Sequence, residues 1–298
     1  MPGEFAFIDW VRRQTPADPR VPVGPGDDCA VLAPPPGNLL VTTDLLTEGV
    51  DFLLAECGPT AVGRKAMAVN LSDLAAMAGK PVGAVVAVAL PPGGMAIAQE
   101  ILRGLREVAE RFDCPLVGGD TNSWAGGLVV AVTVFGVPTG RGPVLRSGAK
   151  VGDWLFVTGP LGGSLLGRHL SPTPRIPEAI ALHAMVELRA MIDLSDGLAG
   201  DIGHLAAASG VGVVLNPDAV PIHPDARERA TLTGRTPLDH ALTDGEDFEL
   251  AFAVSPADGE RLVRGSPVPV WKVGECVAGG GVHLPDGRPV TGGWEHRL

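Results

Sequence analysis

The sequence contains no tyrosine, and aromatic residues make up only 4% of its 298 positions. So little aromatic surface leaves nothing to stack successive bases as single-stranded nucleic-acid binders do. Basic residues are scarce as well. The chain has 23 Lys and Arg against 34 Asp and Glu, a net charge of −11, which excludes the basic stripe of a nucleic-acid surface. If the ligands are phosphates, cations must carry much of the binding. Cysteine is limited to Cys29, Cys57, Cys114 and Cys276 with no CxxC pair, so neither a zinc ribbon nor a disulfide framework is indicated and a reduced compartment fits. The longest apolar runs, Val82 to Leu90 and Leu128 to Val137, are about half a membrane span. The start, MPGEFAFIDW, carries no basic leader, so a cytoplasmic location without a membrane partner is expected.

Familiar phosphate motifs are missing too. Gly58-Pro59-Thr60-Ala61-Val62-Gly63-Arg64-Lys65 imitates a P-loop, but Lys65 comes one place late and Ala66 stands where the hydroxyl residue belongs. Gly24 and Gly26 open a dinucleotide fingerprint that ends on Cys29 and precedes a strand instead of following one. Gly159 to Gly163 follows a strand without the required spacing and reads as a tight turn in preference to a phosphate cradle. No G-x-S-x-G elbow, H-E-x-x-H or kinase catalytic loop occurs.

What is present is a set of carboxylates in apolar surroundings. MIDLSDGLAGDIGHL, from Met191 to Leu205, places Asp193 at the end of a short strand, and Asp196 just before a helix with Leu198, Ile202 and Leu205 at helical spacing. Ser195 is the expected N-cap. A lone acid at Asp193 would be desolvated unless a cation or donors met it. Strands or turns end in Asp28, Asp44 and Asp120, and an apolar helix carries Asp73 one turn after Asn70. Asp27, Asp153 and Asp201 read more simply as caps or turn formers, and His183 and His204 as packed helix residues. Six acids with no nearby His or Cys make a hard-oxygen set that selects Mg²⁺ over zinc.

The expected elements are helices near 3–11, 59–79, 95–112 and 178–189, with another from Leu165 onward. Strands are expected near 39–44, 81–90, 115–122, 128–137, 154–158 and 211–215. Strands alternating with helices in both halves predict two α/β domains. Their expected bounds are 1–138 and 153–298, joined by the Gly- and Pro-rich segment 139–152.

GDDCAVL at 26–32, TTDLLTEGVDF at 42–52, KAMAVNLSDLAAMAG at 65–79, VGGDT at 117–121, MIDLSDGL at 191–198 and DGEDFEL at 244–250 closely resemble thiamine-monophosphate kinases. These belong to the ATP-binding superfamily that includes aminoimidazole ribonucleotide synthetase and selenophosphate synthetase. The likeness runs in order from GEFAFI at 3–8 to GWEH at 293–296. It implies two mixed β-sheets covered by helices (α/β, α+β) and transfer of the ATP γ-phosphoryl onto thiamine monophosphate with several Mg²⁺ ions, the final step of thiamine diphosphate synthesis. By motif position, Asp28, Thr42, Thr43, Asp44, Asp73, Asp120, Asp193 and Asp196 would serve metals, with Asp44, Asp73, Asp120 and Asp196 catalytic. Gly119, Asp120, Arg146 and Ser195 would meet ATP, and Asp51, Glu246 and Trp294 thiamine monophosphate. Family members are homodimers whose N-terminal sheets join. Two positions depart from the family pattern: Asp51 stands where His or Asn is common, and Phe248 where Tyr is. The alternatives are another ATP-dependent synthetase of the superfamily and a non-catalytic Mg-nucleotide sensor. A selenophosphate synthetase would need a reactive Cys and Lys near its start, yet Cys29 and Lys65 are the first of each.

Overall fold

The computed structural model describes residues 4–25 and 29–294, with side chains from Phe7 onward in the first helix. Asp27 and Asp28, and Glu295 and His296 of the GWEH word, lie outside the described residues. The chain divides into two compact units, residues 1–74 with 80–138, and residues 75–79 with 139–298. Segment 139–152 therefore belongs with the second unit.

In chain order the elements up to Pro138 are α1 (Glu4–Gln14), β1 (Leu40–Thr47), α2 (Leu54–Ala76), β2 (Gly79–Leu90), α3 (Met95–Arg111), β3 (Leu116–Ser123) and β4 (Val129–Pro138). The four strands form one sheet in the order β1-β4-β2-β3. β1 runs antiparallel to β4, setting Thr42 opposite Val134 and Asp44 opposite Val132, while β2 and β3 are parallel. Side chains alternate along β1: Leu40 and Leu46 are buried, whereas Val41 and Leu45 are 58% and 61% exposed. Thr42 and Asp44 therefore share the inner face. The apolar period from Pro59 is helical, but α2 starts earlier, at Leu54, and bends at Gly58, whose φ of 73° no helix interior adopts.

α2 and α3 pack backbone to backbone through two glycines. A Cβ on Gly63 would lie 2.1 Å from the Ile101 carbonyl oxygen, and one on Gly104 would lie 2.0 Å from that of Thr60. This closeness brings α2, the helix that carries Asp73, tightly against its neighbour.

The second unit continues with β5 (Trp154–Val157), α4 (Ile176–Met185), β6 (Ala190–Asp193), α5 (Leu198–Ser209), β7 (Gly212–Leu215), α6 (Pro224–Thr233), α7 (Pro237–Thr243), β8 (Leu250–Val254), α8 (Pro256–Gly265), β9 (Trp271–Val277) and β10 (Gly281–His283). Its sheet order is β10-β7-β9-β5-β8-β6, with β10 parallel to β7 and the other pairs antiparallel. Leu198, Ile202 and Leu205 of α5 pack on Leu155, Val157 and Ile192 of the sheet, as their spacing predicts. Both units are mixed α/β.

Four local expectations fail. The helix from Leu165 is replaced by two short 3-10 turns, Ser164–Leu166 and Arg168–Leu170, because Gly163 and Gly167, at φ 75° and 131°, interrupt the helical path. α4 begins at Ile176 and ends at Met185, since Pro177 suits a first turn and Val186 is extended. Ser195 is not the N-cap of α5: Gly197 is, at φ 112°. His183 is buried as expected, but His204 is exposed on α5.

Gly104→Ala should cost about 1–3 kcal/mol, because the added methyl forces α2 and α3 apart. Gly265→Ala, where nothing lies within 4 Å of the new Cβ, should be neutral. Urea midpoints of the two variants check the contrast, and equal midpoints would refute it.

Candidate active site

In the first unit three site residues converge. Thr42 Oγ1 donates to Asp73 Oδ2 at 2.5 Å, joining the inner face of β1 to α2. Asp44, two residues on and on the same face, is hydrogen-bonded to Asp73. Burial, the Asp73 charge and that bond, and then the charge of Asp51, push the Asp44 carboxyl well above the carboxylate range. Asp51 sits in the turn after β1, where its Oδ2 accepts from the Thr47 N–H at 2.7 Å. Lys65, only 1% exposed, donates from Nζ to the Asp51 carbonyl at 2.8 Å and fastens this turn to α2. Sequence reasoning missed Lys65, whose only signal was a charge inside an apolar helical run.

The other candidates of this unit lie elsewhere. Thr43 points to the opposite face of β1, donating to the Val132 carbonyl at 3.1 Å and accepting from Thr133 at 2.9 Å. Asp120 is exposed on β3, at the opposite edge of the sheet from β1, three strand spacings or about 14 Å away. Its Oδ1 accepts from the Thr121 N–H at 2.9 Å. Gly119 is glycine for a packing reason, since a Cβ there would lie 2.1 Å from the Val86 carbonyl oxygen. Gly118 to Thr121 line a cleft of about 1040 Å³ together with Val85 to Val88, Phe7 and Arg106. Among the described residues, no group of three or more His, Cys, Asp or Glu side chains is placed to hold a metal.

In the second unit the backbone gathers the remaining words. Asp193, 3% exposed, ends β6, and Ser195 and Asp196 follow in a loop. The Glu246 N–H donates to the Ser195 carbonyl at 2.7 Å, and the Trp294 N–H to the Asp196 carbonyl at 2.9 Å. Phe248 N–H and Leu194 carbonyl add a bond of 2.8 Å. Thus DLSDG, GEDFE and GGW, far apart in sequence, meet at one loop. Asp201 reaches back from α5 to accept from the Asp196 and Gly197 N–H groups at 3.1 and 3.0 Å. Burial, then the charges of Asp193 and Asp196, push its carboxyl up to about 8. Arg146 is exposed in segment 139–152, its carbonyl accepting from Ser209 Oγ at 3.2 Å.

Three of the four acids of the 244–249 word, Asp244, Asp247 and Glu249, are structural. Asp247 accepts from the Gly162 N–H at 2.9 Å and pairs with Arg168 at 2.9 Å. Asp244 accepts from the Gly163 N–H at 3.2 Å, and Glu249 pairs with Arg175 and accepts from Thr158. The glycine turn 159–163 thus has N–H groups filled by carboxylates of its own chain, as its reading as a tight turn anticipates. Glu246 and Phe248 hold φ of 53° and 52°, the left-handed region that residues other than glycine rarely adopt. Asp153 is a turn former as read, accepting from the Lys150 N–H at 2.8 Å and pairing with Arg189.

The two mixed-sheet units correspond to the two domains of the AIR synthase related proteins, although Asp44 and Asp120 lie within β1 and β3 and not at the strand ends expected from the sequence. The N-terminal domain of that family matches residues 26–138 and its C-terminal domain residues 157–286. A thiamine-monophosphate kinase of Rhodopirellula baltica is 42% identical over 92% of this chain and 89% of its own. The crystal structure of thiamine-monophosphate kinase from Stenotrophomonas maltophilia K279a superposes with a TM-score of 0.82 at 34% identity, covering 96% of this chain and 98% of that one. A structure described as AaThiL complexed with AMPPCP and TMP gives a TM-score of 0.77 at 28% identity, over 99% and 97%. Within that class, the chain belongs to the thiamine-monophosphate kinase family.

Removing Arg168 would leave Asp247, its side chain 1% exposed, without its counter-charge. Burial already pushes Asp247 up to about 6, with Arg168 pulling down. Its folded value lies above the ordinary 3.8, so its contribution to stability is greatest below that value and declines as pH rises through 6. Arg168→Ala should therefore cost about 3–5 kcal/mol near pH 7.5 and clearly less near pH 5, as measured by urea unfolding. A pH-independent loss would sink the assignment.

Proposed function

We propose that this chain transfers the γ-phosphoryl of ATP to thiamine monophosphate, giving thiamine diphosphate and ADP. The observation that carries the reading is the Thr42–Asp44–Asp73 group in a chain of this family. Two carboxylates are held side by side on facing elements, and Asp44 is pushed toward its neutral form by burial and then by the charge of Asp73. A divalent cation relieves that repulsion. Mg²⁺ binds through one or two carboxylates and keeps positions for water and substrate phosphates, so a carboxylate pair with a hydroxyl beside it fits that ion. Asp193 and Asp196, whose charges bear on buried Asp201, make an acidic group of the second unit suited to an ion of the same kind.

When bound, Mg²⁺ supplies neutralisation of the phosphates and of the charge that spreads over the transferring group. The residues supply the rest. Asp44 and Asp73 hold the cation, and Asp120 and Gly119 line the cleft that takes the nucleotide. Arg146 and Ser195 face ATP, and Glu246 and Trp294, fixed by their backbone bonds to the 195–196 loop, face thiamine monophosphate. An oxygen of the acceptor phosphate forms the new P–O bond while the bond from the γ-phosphorus to the β–γ bridging oxygen breaks and ADP leaves. A phosphate monoester is already an oxyanion at neutral pH, so the step needs alignment and charge neutralisation and no general base.

The outer face of β1 and β4 supports a homodimer. Val41 and Leu45 are 58% and 61% exposed, beside Thr43 and Thr133, on a sheet face that a second copy would cover.

Incubating the protein with ATP, Mg²⁺ and thiamine monophosphate, with thiamine and aminoimidazole precursors as controls, should yield thiamine diphosphate only. Asp44→Asn and Asp120→Asn should each lower turnover by roughly a hundredfold or more with circular dichroism unchanged. Full turnover in both would refute the site. Leu45→Arg should halve the sedimenting mass, and an unchanged mass removes the dimer surface.

A further inference from the structure

α2 is buried along most of its length, yet Asn70, one turn before Asp73, carries its amide into that interior at 0% exposure. Its Nδ2 donates to the Ala66 carbonyl at 3.0 Å. That carbonyl can only accept, so the nitrogen must face it and the amide oxygen is the end left over. Asn70 Oδ1 is buried and receives no hydrogen bond from any described group. An acceptor stripped of water without a donor destabilises a fold, and such groups persist where something other than stability keeps them. On a helix, positions three apart share a face, so Asn70 leaves α2 on the side that presents Asp73 to Thr42.

We infer that Asn70 is a positioning residue for the cation at Asp44 and Asp73, its amide oxygen accepting a hydrogen bond from water that the hydrated ion brings with it. Mg²⁺ gives up its water reluctantly, and a bound water polarised by the ion is a strong donor that needs a fixed acceptor. Asn suits this place better than Asp would. It offers the oxygen without adding a further negative charge beside a pair that already repels itself. The inference rests on the metal reading above and deepens it.

The test separates an acceptor role from a packing role because the two move stability and metal affinity differently. Asn70→Leu keeps the volume and removes the amide, and Asn70→Ala does the same without bulk should the leucine variant fail to fold. Thermal unfolding without metal, and calorimetric titration with Mn²⁺ in the presence of AMPPCP, are measured on the full chain beside Asp44→Asn. The expected result is an unfolding temperature equal to or above that of the unaltered chain, with Mn²⁺ affinity about tenfold weaker. Affinity within twofold of the unaltered chain, whatever the unfolding temperature, overturns the inference, and a lower temperature with it would assign Asn70 to the Ala66 bond alone. Should Asp44→Asn also leave Mn²⁺ binding intact, or the unaltered chain take up no Mn²⁺, the metal reading itself falls. Loss in Asp44→Asn but not in Asn70→Leu defeats only the role of Asn70.

Discussion

Two carboxylates cannot stay fully charged side by side under partial burial unless positive charge joins them, and this constraint governs the first unit. At separations of about 4 Å and the moderate effective dielectric of a protein surface, like charges repel by several kcal/mol. Asp44 shows the consequence, pushed toward neutrality by burial and by Asp73. The fold nevertheless holds the pair, through an antiparallel β1–β4 register that fixes Asp44 on the inner face and a glycine-mediated contact that sets α2 close to α3. Where packing enforces an unfavourable arrangement of charge, the arrangement is what a ligand stabilises.

The second unit uses backbone hydrogen bonds where the first uses side chains. Its candidate residues lie on loops, but those loops are tied together: Ser195 to Glu246, Asp196 to Trp294, Leu194 to Phe248. Asp201 takes the two N–H groups at the start of α5 that Ser195 would have capped. The buried acids of 244–249 do the same for the glycine turn, each consuming a donor or an arginine. Charge in this unit thus divides by partner. Asp244, Asp247 and Glu249 are spent on holding the loops, each against an arginine or a turn N–H.

The periodicities placed β1, β2, α3, β4 and α5 because each element has a single apolar face or a clean alternation. The two α/β units were legible for the same reason, as was the suspicion attached to Asp193, an acid among core residues. What stayed hidden depends on contacts between distant segments. No local pattern distinguishes Asp120 on the far edge of the sheet from Asp44, nor shows that Thr43 faces away while Thr42 faces in, until the register of β1 on β4 is known. The Leu165 helix failed because glycine at 163 and 167 outweighed the apolar run between them. Gly119 was read for a ligand, while its neighbour across the sheet, Val86, already requires it.

That last case bears on how motif words should be understood in this chain. VGGDT and DGEDFEL look like binding signatures, and both contain residues that the fold needs for itself. Gly119 lets β3 approach β2, and the acids on either side of Glu246 neutralise arginines and cap a turn. The left-handed conformation of Glu246 and Phe248 goes with that, since an extended strand would send Asp244 and Asp247, three residues apart, to opposite faces, whereas both accept from N–H groups of one glycine turn. The two left-handed residues are therefore a consequence of bringing several acids from six consecutive residues onto one turn and its arginines. Substitutions at 244, 247 and 249 therefore act on stability, because each removes the partner of an arginine or of a turn N–H.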